Sequence, residues 1–146
     1  MSEVEIKKLM SRAKRLGENA AGIEAAERAV RSADTFGELE LQRISRNILI
    51  RLGTYGGAPE KALVAFSWSL ASLDREPSEG WTETLLWRYK WILGSLWEWP
   101  EFTLEQIAQA DQDAVRRYAE EGYSARPLLM LRSDERLYRG LLVEAT

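Results

Sequence analysis

Apolar residues recur along the chain at spacings of three and four, and no stretch shows the strict alternation of a half-buried strand, so the pattern predicts helices throughout. Ile6, Leu9, Met10, Ala13 and Leu16 share one face of a first segment, and Ile23, Ala26, Ala29, Val30 and Ala33 one face of a second. The period continues through Leu41, Ile44, Ile48 and Leu52, then through Ala62, Phe66, Ser69, Leu70 and Leu73. Leu85, Tyr89, Ile92, Leu93 and Leu96 form a fifth stripe, and Leu104, Ile107, Ala108, Ala114, Val115 and Tyr118 a sixth. A shorter last one holds Leu137, Leu141 and Leu142.

Start and stop signals bound these segments. A hydroxyl three residues ahead of Glu or Gln can satisfy the orphan amides of a first turn, and Ser2 with Glu5, Thr35 with Glu38 and Thr103 with Gln106 all fit. Pro59 suits the first position of the fourth helix, where a missing N–H costs nothing. Stops are expected at Gly17, Gly53, Pro77, Pro100 and Gly122. The result is seven helices joined by short loops, with little chain left for anything else.

The chain also resembles itself. A shift of 41 residues lays Leu52-Gly53 on Leu93-Gly94, Pro59-Glu60 on Pro100-Glu101, Ile44 on Leu85, Ile48 on Tyr89 and Leu63 on Leu104. A shift of 36 lays Leu16-Gly17 on Leu52-Gly53, Glu24 on Glu60, Ala26 on Ala62, Ala29 on Ala65 and Val30 on Phe66. Helix pairs near 1–34, 37–75 and 82–121 follow, with a terminal helix near 134–144 whose Arg136, Arg139 and Glu144 could solvate the end of the stack.

The motifs Leu93-Gly94-Ser95-Leu96-Trp97 and Ala62-Leu63-Val64-Ala65-Phe66 resemble the tetratricopeptide (TPR) repeat, which carries Leu-Gly and Tyr on its first helix and Ala-x3-Phe on its second. The match is degenerate. Gly53 stands nine residues before Ala62 where the family has twelve, Gly56 occupies the tyrosine position, and Thr103 and Ile107 replace Ala and Phe in the third pair. The resemblance implies an all-α, right-handed superhelix of antiparallel helix pairs, about three pairs plus a terminal helix, as a single helical-repeat domain over 1–146.

A second face lies opposite the main stripes. At 100° per residue Trp87 and Trp91 point away from Leu85, Tyr89 and Ile92. The repeat offsets bring Arg43, Arg46 and Ile50, and then Lys7, Met10 and Lys14, to the positions of Thr84, Trp87 and Trp91, while Asn47 and Arg88 occupy equivalent neighbouring positions. If the first helices of successive pairs line a concave surface, as in TPR proteins, Lys7, Lys14, Arg43, Arg46, Asn47, Ile50, Trp87, Arg88 and Trp91 form a basic and aromatic peptide groove. The competing reading is that helices packed on two sides simply bury these residues. Trp68, opposite the stripe of its own helix, is either exposed or used in a second contact, and Trp81, Trp97 and Trp99 read first as staples at helix ends.

Composition narrows the chemistry. The 146 residues are 45% hydrophobic and contain neither Cys nor His, which excludes disulfides, thiolate nucleophiles, Cys/His zinc sites and imidazole bases. The net charge of −3 argues against electrostatic coating of nucleic acid, although residues 1–73 carry +2 and residues 74–146 carry −5. Arginine outnumbers lysine 15 to 5. No apolar run reaches the length of a membrane span, so a cytoplasmic protein is expected. Carboxylates at Asp111 with Asp113, Glu98 with Glu101, and Glu120 with Glu121 are the remaining catalytic or metal-binding material. Neighbours one or two apart on a helix diverge, so Asp111 with Asp113 and Glu120 with Glu121 make poor chelating pairs. The expectation is a protein-binding scaffold without cofactor, metal or enzymatic activity, holding an acidic peptide of a partner protein. The alternative is a structural subunit that self-associates through exposed aromatic residues.

Overall fold

The structure, a computed structural model, describes residues 2–123. Among them are six α-helices and no strand: α1 (Glu3–Leu16), α2 (Ala20–Phe36), α3 (Leu39–Tyr55), α4 (Pro59–Arg75), α5 (Glu79–Glu98) and α6 (Leu104–Glu120). The seventh expected helix, with Arg136, Leu137, Arg139, Leu141, Leu142 and Glu144, lies outside the described residues. The chain divides into two compact units, Met1–Trp81 and Thr82–Thr146, with the boundary inside the first turn of α5.

In the first unit α2 packs against both α1 and α3, α3 packs against α4, and α1 meets α3 only lightly. Packing of successive helices on their neighbours is consistent with a helical repeat. The inner face of α2 carries Ala26, Ala29 and Ala33, all buried, so the helices on either side approach closely, and Phe66 from α4 fills the wider space. Every member of the stripe expected on α4 is buried. On α1 the stripe narrows to Ile6, Met10 and Ala13, while Leu16 is exposed. By contrast α3 is enclosed on nearly all sides. Besides Leu41, Ile48 and Leu52 it buries Arg43, Ser45, Arg46, Leu49 and Ile50.

Helix ends follow local chemistry, with two corrections. Ser2 accepts the Glu5 amide at 3.2 Å, and Thr103 with Gln106 forms the full reciprocal capping box. Thr35 does not cap α3. It lies inside α2, its hydroxyl donating to the Arg31 carbonyl at 3.1 Å, because α2 runs on until Gly37 turns left-handed at φ 87° and ends it. Nor does Gly53 stop α3, which continues to Tyr55. Its role is packing: a Cβ there would stand 2.9 Å from the Ala58 carbonyl oxygen and 3.1 Å from the Ala62 Cβ, so the bare backbone lets α4 close on α3. Asn19, unassigned in the sequence reading, joins α1 to α2: its side-chain oxygen accepts the Gly22 amide at 2.9 Å while its amide donates to the Leu16 carbonyl at 2.6 Å.

In the second unit the whole expected stripe of α5 is buried, with Leu86 added. On α6 Ile107, Ala114 and Tyr118 are buried, whereas Leu104 and Ala108 are exposed. The Tyr118 hydroxyl donates to the Leu86 carbonyl at 2.8 Å, tying α6 to α5.

Gly22 separates packing from propensity. A Cβ at this position would overlap the Gly17 carbonyl oxygen, whereas one at Gly80 would meet nothing among the described residues. Although alanine favours helix by about 1 kcal/mol, Gly22→Ala is expected to destabilise by about 1–3 kcal/mol and Gly80→Ala to be neutral or slightly stabilising. Urea unfolding followed by circular dichroism measures both, and a stabilised Gly22→Ala would refute the tight loop.

Candidate functional site

Arg43 and Ile50 do not line an open groove. Ile50 is 1% exposed and belongs to the core. Arg43 is 6% exposed, and its guanidinium donates to the Ser72 hydroxyl (2.9 Å), the Ser72 carbonyl (3.1 Å) and the Glu76 carbonyl (2.6 Å). It therefore satisfies the C-terminal carbonyls of α4, where the helix dipole is negative. The reason is the enclosure of α3, which turns these positions toward its neighbours instead of solvent.

Arg46 is also interior, 8% exposed, and forks onto Asp34 with two bonds of 2.8 Å. Its guanidinium carbon sits 3.7 Å from the centroid of the Trp68 ring. Trp68 is thus used in a second contact, and Asp34 and Trp68 are the partners that the sequence reading missed. Beside them is a cavity of about 330 Å³ walled by Val30, Leu49, Val64 and Ala65, with the Lys61–Glu27 pair (2.8 Å) bridging α4 and α2 at its rim. Asn47 is half-buried and partnered. Of the remaining cations, Lys7 pairs with Glu3 at 3.0 Å, and Lys14 is exposed with no ion pair among the described residues.

The second unit holds the aromatic part. Trp87 is 61% exposed and Trp91 41%, one helical turn apart on α5. The Lys90 ammonium lies 5.7 Å from the Trp87 ring centroid and 5.1 Å from that of Trp91, and Lys90 makes no ion pair among the described residues. Its spacing of three from Trp87 was the available signal for this neighbour. Arg88 is half-buried, with a partner of its own. A cavity of about 720 Å³ opens beside this face, lined by Leu86, Trp87, Arg88, Lys90, Tyr118 and Tyr123 among others. Of the predicted nine, Lys7, Lys14, Arg43, Arg46, Asn47 and Ile50 thus belong to the first unit and Trp87, Arg88 and Trp91 to the second.

Trp81 and Trp97 lie within α5, and Trp99 follows its end. The Trp81 indole donates to Glu40 at 3.1 Å, and the Trp99 amide donates to the Leu96 carbonyl at 3.4 Å as the chain leaves α5.

Asp113 is committed to a network. It accepts from the Tyr89 hydroxyl (2.7 Å), Arg116 (2.7 Å) and Arg117 Nε (2.9 Å). Partial burial pushes the Asp113 carboxyl upward, but the three bonds outweigh it and hold the group below its ordinary value. Burial, and then the bond to Asp113, pushes the Tyr89 phenol above its ordinary range. Glu120 is taken by Arg116 at 2.9 Å. No helix among the described residues is long and apolar enough to cross a membrane.

Set against known proteins, the chain matches no protein-family model, no curated protein and no solved structure.

Two outcomes follow from these networks. Because folding lowers the Asp113 pKa, its stabilisation is complete above the unfolded value near 3.9 and is lost as pH falls through the lower folded value. Asp113→Asn should lower the midpoint of the thermal transition by a few degrees at pH 7, and the gap should shrink as pH falls below the ordinary carboxylate range; a gap independent of pH would contradict the network. In the first unit, a double-mutant cycle of Arg46→Met and Trp68→Leu should return a coupling of about 1–2 kcal/mol in urea unfolding, and additivity would show that the stacking contributes nothing.

Proposed function

We propose that the protein is a helical-repeat interaction module, TPR-like with a right-handed superhelix, that holds an acidic segment of another protein and does no chemistry on it. The observation that carries this reading is the pair of outward tryptophans, Trp87 and Trp91, with Lys90 set against both rings. Large stiff rings lose little entropy on binding and dominate interface energies, while a cation beside them that has no ion pair among the described residues favours a carboxylate. Arg43, Arg46 and Ile50 are withdrawn from the recognition surface because their groups are already used inside the first unit. Lys7 and Lys14 remain as surface cations of that unit. The fold reading rests on the three successive helix pairs and the Leu-Gly and Ala-x3-Phe motifs. A cytoplasmic, cofactor-free protein fits this role.

The second reading is self-association through the same aromatic residues, favoured by the 61% exposure of Trp87. Light scattering at micromolar concentration separates the two, a monomer removing the second. Selection from a library of random 12-residue peptides tests the first: the wild-type protein should enrich acidic sequences, and the Trp87→Ala/Trp91→Ala variant, with unchanged helicity, should not. Enrichment of no sequence class, or equal enrichment by the variant, would overturn it.

A further inference from the structure

The end of α6 is built to fix two aromatic rings. Gly122 adopts a left-handed φ of 73°, its amide donates to the Ala119 carbonyl at 3.1 Å, and the Tyr123 amide reaches back to the Tyr118 carbonyl at 2.9 Å. These are the two bonds of a Schellman motif, which brings the second residue past the cap onto the helix residue five before it. Here both are tyrosines, and their rings meet edge to face with centroids 6.3 Å apart and planes at 82°. Tyr118 is held further by its hydroxyl bond to the Leu86 carbonyl. Both rings then line the cavity of about 720 Å³ that Trp87 walls from α5.

The chemistry of that wall is specific. Three aromatic rings line an open space large enough for one more, and the edge-to-face pair offers a ring face and a ring edge for it to continue the packing. Lys90 lines the cavity and makes no ion pair among the described residues, so a carboxylate next to the inserted group has a cation to meet.

We infer that this cavity receives an aromatic side chain of the bound segment, with a flanking carboxylate of that segment meeting Lys90. The inference rests on the proposed peptide reading and narrows it to acidic segments carrying an aromatic anchor.

Dye-labelled, acetylated peptides of sequence Glu-Glu-X-Glu-Glu, with X as Phe, Leu or Ala, titrated against the full chain and read by fluorescence anisotropy, provide the test. The Phe peptide should bind about tenfold more tightly than the Ala peptide, with Leu between them. Tyr123→Ala should abolish the advantage of Phe over Ala, Tyr123→Phe should keep it, and Lys90→Glu should weaken all three peptides. Circular dichroism verifies that each variant keeps its helices. Equal binding of the Phe, Leu and Ala peptides by the wild-type chain, or a Phe advantage that survives Tyr123→Ala, overturns the aromatic anchor and leaves the acidic-peptide reading standing. Binding of none of the acidic peptides, or equal binding of Lys-Lys-Phe-Lys-Lys, overturns the acidic-peptide reading and the anchor with it.

Discussion

The enclosure of α3 is the constraint on which the first unit depends. The alanine face of α2 and the bare backbone at Gly53 bring neighbouring helices so close that α3 has almost no wet side. A polar group on such a helix is under pressure to find its partner inside the protein, since a buried unsatisfied donor costs about 1–3 kcal/mol and a buried lone charge more; among the described residues the buried Nε of Arg51 is the exception. Arg43 answers by closing the carbonyl end of α4, Arg46 by gripping Asp34 and lying on Trp68, and Ser45 by donating to the Gln42 carbonyl. The two arginines thus act as specific couplers between helices whose apolar contacts alone would tolerate sliding. Alanine faces are smooth, and register on a smooth face needs directional bonds.

The second unit solves the same problem with tyrosines. Tyr89 and Tyr118 are each buried by the ring and bonded by the hydroxyl, one to Asp113 and the other to the Leu86 carbonyl. Such residues supply a large apolar area and one directional contact at once. Trp87 and Trp91 stand outside this serviced interior, exposed and with Lys90 against both rings, which is the observation behind the proposed recognition surface.

Much of the helical layout was legible in the sequence. Each of the first six periodic segments is a helix, and the stripes on α4 and α5 are buried residue for residue, because a period of 3.6 in apolar positions reports burial directly. Two boundaries were misread for one reason: a capping pattern at Thr35 and a stop at Gly53 are local signals, and both were overridden by what the neighbouring backbone required. The candidate site was legible only in part. Projection on a helical wheel placed Trp87 and Trp91 correctly on an outer face, since α5 is covered along its Leu85–Leu96 stripe. The same projection misplaced Arg43 and Ile50, because it cannot distinguish a helix covered on one side from one covered on all. Asp34 as the partner of Arg46, and the meeting of Tyr118 with Tyr123, depend on tertiary and loop geometry that spacing along one helix does not encode.

The light contact between α1 and α3 has a consequence for how the molecule opens. Within the first unit α2 is gripped from two sides, whereas α1 and α4 each pack mainly on one neighbour, and of these α4 is also pinned to α3 by the Arg43 bonds. The least costly excursion from the native state is therefore peeling of α1 as one piece, with Gly17 and the Asn19 bonds as its hinge. Such an excursion would bare Ile23 and the alanine row of α2 while leaving the Arg43 and Arg46 couplings intact. Amide protons of α1 would then exchange with solvent long before those of α3, and the first unit would fail from its edge inward instead of all at once.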